Sequence, residues 1–127
     1  MVTMVLVFGT FDKFHPGHEW FLQTAKTYGD RLVVVVARDH NVLTVKGHWP
    51  HQSEQQRLQR VQHCNVVDQA VLGLEDYAHK EDIIQQLQPN IICLGYDQAP
   101  NFVSPSPDIQ VVRLEAFYPE RYKSSLL

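Results

Sequence analysis

The sequence predicts an α/β domain of three layers, α/β/α, with a five-stranded, mainly parallel sheet and helices on both faces. Three observations carry this reading. Runs of β-formers alternate with helix-period runs, the pattern of consecutive βαβ units. Arg31-Leu-Val-Val-Val-Val-Ala37 is a continuous apolar run, as a strand covered on both faces of a parallel sheet requires. Val2–Phe8 is a run of β-formers that ends at Gly9 and leads through a polar turn into an amphipathic segment. Strand, helix and second strand thus follow in the order of a right-handed crossover.

The first helix is expected over Pro16–Tyr28. Trp20, Phe21, Leu22, Ala25 and Tyr28 recur near helical spacing. Pro16 suits the first turn, where its missing N–H costs nothing. Gly29 suits the position just past the end, where a left-handed residue is often needed. Between strand and helix lie Gly9-Thr10-Phe11-Asp12, then His15 and His18. The free N–H groups and dipole of a helix start favour phosphate there. Gly9 and Gly17 carry no Cβ, which lets a ligand approach the backbone. An imidazole N–H beside such a site stabilises charge developing on a phosphoryl group.

Gly9-Thr-Phe-Asp-x-x-His15-Pro-Gly-His18 resembles the His-x-Gly-His signature of the cytidylyltransferase-like nucleotidyltransferases, and the resemblance covers most of the chain. The branches it is most similar to are glycerol-3-phosphate cytidylyltransferase and the archaeal-type FAD synthase. The resemblance implies a Rossmann-like fold. It also implies transfer of a nucleoside monophosphate from CTP or ATP to a small phosphate-bearing acceptor, with Mg2+ and release of pyrophosphate, in a homodimer. His15 and His18 would then donate to phosphoryl oxygens, Gly9, Thr10 and Phe11 would line the phosphate pocket, and Lys46 would neutralise the triphosphate.

At 127 residues the chain is read as one domain, residues 1–127. Eleven basic and fourteen acidic side chains give a net charge of −3, unlike a general nucleic-acid binder. Cys64 and Cys93 are far apart and form no Cys-x-x-Cys, as in a reducing cytoplasm. The N-terminal strand is too short for a signal or membrane segment and has no basic region before it. A cytoplasmic protein without membrane or nucleic-acid partners is expected.

Arg38 and Asp39 fall at the carboxyl end of the second strand, the edge where open α/β sheets bind ligands. Asp39 also suits the N-cap of a short turn through His40–Val45. Lys46-Gly-His-Trp-Pro-His51 reads as a loop. His48 and His51 with His15 and His18 supply four nitrogens, but Pro50 breaks the second pair and no cysteine joins, so no metal site is assigned. Ser53 with Gln56 is a capping box that opens a helix to about His63, with Leu58 and Val61 inward. Arg57 and Arg60 share one side of it. The resemblance makes Arg57 a nucleotide-binding arginine.

Asn65–Leu72 is a third strand with its lead-in, and Asn65 stands where the cytidylyltransferase branch has arginine. Glu75–Leu87 reads as a helix, broken by Pro89 and Asn90. Ile91–Leu94 is a fourth buried strand. It ends in Gly95-Tyr96-Asp97-Gln98, whose aromatic, acid and amide groups suit a nucleoside. Leu-Gly-Tyr-Asp-Gln resembles the FAD synthase branch in particular. Ala99–Asp108 is a Pro/Ser-rich loop and Ile109–Leu114 a fifth strand. In the tail, Lys123-Ser124-Ser125 resembles the family's second phosphate-binding signature, though the chain given stops two residues later. Two further readings follow from these motifs: adenylyl transfer from ATP to FMN, supported by the Gly95–Gln98 loop, and a nucleotide-binding or regulatory module with impaired catalysis.

Overall fold

In the computed structural model, which describes residues 2–74, 80–95, 98 and 102–114, strands and helices alternate as the sequence predicts. β1 (Met4–Gly9) passes through α1 (Pro16–Lys26) to β2 (Arg31–Val36). α2 (Asp39–Lys46) and α3 (Glu54–Gln62) precede β3 (Gln69–Leu72), and α4 (Lys80–Leu87) precedes β4 (Ile91–Leu94) and β5 (Gln110–Arg113). The five strands lie in the order β3-β2-β1-β4-β5, and every pairing is parallel.

Period-two alternation divides the core between the two faces of the sheet. Val5, Val7, Leu32, Val34, Val36 and Cys93 point to one face, where they pack with Leu22 and Ala25 of α1 and Val61 of α3. Leu6, Val33, Val35, Ile92 and Leu94 point to the other, against Ile83 and Ile84 of α4. Because both faces of β1 and β2 are buried, β1 and the part of β2 after the exposed Arg31 carry no polar side chain.

Several boundaries differ for physical reasons. Gly29 has no positive φ; a Cβ there would lie 2.7 Å from both the Thr3 carbonyl oxygen and Val5 Cγ2. Close approach to the start of β1 selects this glycine, and α1 ends at Lys26 with Thr27 as its C-cap. The predicted short turn after Asp39 is instead the eight-residue helix α2, closed by Gly47 in the left-handed region at φ 80°. Its N-cap is Arg38, not Asp39; the Asp39 carboxylate is held by Arg57 instead, at 2.6 Å. The helix expected over Glu75–Leu87 is described from Lys80 onward, and residues 75–79 lie outside the described residues.

The strand order also fixes where a ligand fits. From β1 the chain moves outward to β2 and β3, then returns to place β4 on the other side of β1. The loops after β1 and β4 therefore diverge and open a crevice at the carboxyl edge of the sheet.

Candidate active site

The loop from β1 to α1 forms the floor of that crevice. Phe11 and Lys13 hold left-handed backbone conformations, at φ 55° and 49°. The turn folds the Phe11 ring back beneath Gly9, where a Cβ would come within 2.5 Å of the ring. Gly9 is therefore required by the Phe11 side chain, which is itself buried. Asp12 extends the loop's contacts by accepting from the backbone N–H groups of His51 (2.8 Å) and Gln52 (3.0 Å). Desolvation raises the Asp12 pKa, but those two N–H groups and the charges of His51 and Arg57 outweigh it, and the net shift is downward.

His15 and His18 form the first turn of α1 together. His15 is the N-cap, and its Nδ1 accepts from the Gly17 N–H at 3.1 Å. His18, at the third helical position, accepts the His15 N–H on its own Nδ1 at 3.3 Å. This is a capping box made of two imidazoles, and it explains the three-residue spacing. The rings stack, with centroids 3.8 Å apart. Phe11 and Phe14 each approach the His18 ring at 5.4 Å, and the Arg60 guanidinium covers the other ring of this cluster, Phe14, at 4.2 Å. Burial lowers the His18 pKa to about 4, helped by the positive charges of His15 and Lys46 and opposed by Asp12. A neutral His18 whose Nδ1 is an acceptor carries its proton on Nε2. The same holds for His15 in its neutral form. Each ring thus has an Nε2–H donor left for a ligand.

Arg57 lies beneath the site rather than in it. It is fully buried. Its Nη1 donates to the Thr10 and Ala37 carbonyls, both at 2.8 Å, its Nε to the Gln52 carbonyl at 3.0 Å, and its Nη2 to Asp39. One planar fork therefore fixes the floor loop, the end of β2, the start of α2 and the approach to α3. The nucleotide contact expected of Arg57 is replaced by this structural role, because the carbonyls and Asp39 take its donors and it does not reach the cavity wall.

The crevice holds a cavity of about 620 Å³. Gly9, Thr10, Phe11, His15, His18 and Lys46 all line it. Lys46 does so from the last turn of α2, not from a loop. Gly17 is absent from the wall, and its N–H is given to His15. Gln98 lines the cavity, but its amide is committed: Oε1 accepts from the Gly95 N–H at 3.1 Å and Nε2 donates to the Phe8 carbonyl at 2.9 Å. It ties β4 to β1 rather than reading a nucleoside. Gly95 is anchored from the other side by Arg113, at 3.0 Å. Tyr96, Asp97, Lys123, Ser124 and Ser125 lie outside the described residues.

Sequence reasoning placed Arg38 at the ligand edge of the sheet without giving it a role and did not single out Asn41; both line the cavity. Arg38 Nε donates to the Gly73 carbonyl at 2.8 Å, and its Nη1 pairs with Glu54 at 3.2 Å. The position of Arg38 at the carboxyl end of β2 was the available signal; nothing in the sequence marked Asn41. Among the described residues, no group of three or more His, Cys, Asp or Glu is gathered to hold a metal ion, and no helix is long and apolar enough to cross a membrane.

Comparison with known proteins places relatives beside this geometry. Residues 6–120 match the cytidylyltransferase-like family. The FAD synthase of Methanosarcina barkeri is 47% identical over 97 residues, 76% of this chain and 67% of that one. The FAD synthase of Aciduliprofundum boonei is 47% identical over 94 residues, 74% of this chain and 61% of that one. The chain thus spans about three fifths to two thirds of the length of these curated relatives. The crystal structure of the lipopolysaccharide core biosynthesis protein from Thermoplasma volcanium is similar with a TM-score of 0.81 and 34% identity, covering 92% of this chain and 99% of that one.

Proposed function

The chain belongs to the cytidylyltransferase-like family, and we propose that it is a nucleotidyltransferase of the FAD synthase type, moving the adenylyl group of ATP to FMN. The observation that carries this reading is the mixed lining of the cavity. Thr10, His15, His18 and Lys46 give it polar groups, and Phe21, Val35, Val42, Leu74, Ile83 and Phe102 give it apolar surface. Apolar surface of this extent suits a flat hydrophobic ring system better than a polyol. The FAD synthases among the relatives support the same choice.

In this reading a phosphate oxygen of FMN attacks the α-phosphorus of ATP in line. The bond from that phosphorus to the bridging oxygen breaks, and pyrophosphate leaves. The acceptor oxygen is already ionised, so catalysis rests on positioning and on stabilising charge. The Nε2–H groups of His15 and His18 donate to the phosphoryl oxygens. Lys46 neutralises the triphosphate. Gly9, Thr10 and Phe11 line the phosphate pocket, Gly95, Tyr96 and Asp97 border the nucleoside, and Lys123, Ser124 and Ser125 close the far end of the triphosphate. Asp12 is the one carboxylate among the described lining residues, and both its oxygens already accept backbone N–H groups. Mg2+ fits as an ion held chiefly by the triphosphate, where it adds charge neutralisation.

A second reading rests on the Thermoplasma protein, whose length this chain matches almost completely: nucleotidyl transfer to a phosphorylated carbohydrate. The two are separated by supplying ATP or CTP, each with FMN or glycerol 3-phosphate, and resolving the products by chromatography. FAD and pyrophosphate from ATP with FMN alone is the expected result. A nucleotide-linked glycerol would favour the second reading, and no product from any pair would overturn the enzyme assignment.

A further inference from the structure

We propose that Asn41 is a specificity-determining residue whose Oδ1 accepts a ring N–H of the acceptor substrate. The inference rests on the acceptor reading above and goes beyond it to a single hydrogen bond.

Asn41 sits in the first turn of α2, on the cavity wall, and is only 7% exposed. The atom 3.0 Å from the Leu74 carbonyl oxygen must be Nδ2, because a carbonyl only accepts. That contact fixes the orientation of the amide and leaves Oδ1 as the other group. Oδ1 has no hydrogen-bond partner among the described residues, and no buried side-chain oxygen or nitrogen is sealed away unpaired. An acceptor that no described residue pairs, open to a cavity, is satisfied by water in the free protein and by a donor from the ligand when one is bound.

The position of Asn41 identifies which ligand. The proposed reading puts the nucleoside beside Gly95, Tyr96 and Asp97, after β4. Asn41 and its partner Leu74 follow β2 and β3, on the opposite side of β1. The donor facing Oδ1 therefore belongs to the acceptor. A flavin ring has one imide N–H, at N3, and otherwise presents acceptors on that edge. Val42 and Leu74 beside Asn41 supply the apolar surface for the ring.

The test compares FMN with N3-methyl FMN in equilibrium titrations followed by flavin fluorescence, using the wild-type chain and Asn41→Ala. Wild type should bind FMN about ten- to a hundredfold more tightly than the methylated analogue, the scale for one buried hydrogen bond lost. Asn41→Ala, which removes Oδ1 and opens space for the methyl group, should bind both to within about threefold. Its affinity for ATP with Mg2+ should match wild type. Equal binding of the two flavins by wild type overturns the proposal without any variant. So does full discrimination retained in Asn41→Ala, and a loss of ATP affinity there would move Asn41 to the nucleotide side. Failure of wild type to bind FMN overturns the acceptor reading itself, and this inference falls with it.

Discussion

The imidazoles of His15 and His18 stack with centroids 3.8 Å apart and 24° between their planes, and each spends its Nδ1 on a backbone N–H of the same helical turn. One interaction therefore does two things. It caps α1, and it sets the tautomer that leaves an Nε2–H on each of two rings lining the cavity. The capping part is separable. Glutamine is a natural residue at the third helical position of a capping box, so His18→Gln should keep the melting temperature near wild type. His18→Ala should lose about 1 kcal/mol, as a cap acceptor removed. Thermal melts of the two variants check this.

Acid should destabilise the protein through His18. Its pKa is about 4 in the folded protein against an ordinary 6.5, chiefly because burial disfavours the charged ring. Between these values the unfolded chain binds a proton that the folded chain does not. Stability from this group is therefore complete above pH 6.5 and declines as pH falls toward 4. The lowered Asp12 pKa acts in the same direction at still lower pH. Urea unfolding across this window should show the slope, and His18→Gln should flatten it. An NMR titration of the His18 ring with a midpoint near 6.5 would refute the account.

Arg57 is expected to be a stability residue first. Arg57→Ala leaves three half-buried carbonyls and the Asp39 carboxylate, itself 29% exposed, without their partner. The cost should be about 1–3 kcal/mol, the scale for hydrogen-bonding groups left without a partner. Arg57→Lys keeps the charge but cannot span four acceptors, and should recover only part of the loss. The denaturation midpoint should fall with little change in slope.

Gly9→Ala tests the floor. A methyl group 2.5 Å from the Phe11 ring must displace that ring, at a cost of about 1–3 kcal/mol for overpacking. Phe11 also touches His18, so turnover should fall with stability. Gly9→Ala combined with Phe11→Leu, which shortens the obstructing side chain, should recover part of the stability. Denaturation and kcat measured on both variants check the prediction.

The frame of this molecule was legible because periodicity and burial are local signals. The apolar run Arg31–Ala37 became β2, and Ser53 with Gln56 became the cap of α3. The histidine motif pointed to the cavity floor because the turn, Pro16 and Gly17 share one short stretch. What stayed hidden depends on contacts between distant segments. No pattern in the sequence tells that the carbonyls of Thr10, Ala37 and Gln52 converge, and their convergence is what draws Arg57 inward. Gly29 was legible as a special position, but the reason lies across the chain at Thr3 and Val5. Asn41 has no signature at all, since its significance comes from the Leu74 carbonyl that orients it.

The most direct test of the central claim, that the Nε2–H groups of the histidine pair stabilise the reacting phosphoryl group, is kcat for His18→Gln with ATP and FMN, set beside its affinity for ATP. The account predicts a fall of about 10²–10³ in kcat, the scale of a lost oxyanion-hole donor, with ATP affinity and melting temperature close to wild type. A variant that folds, binds ATP and turns over at the wild-type rate would contradict it.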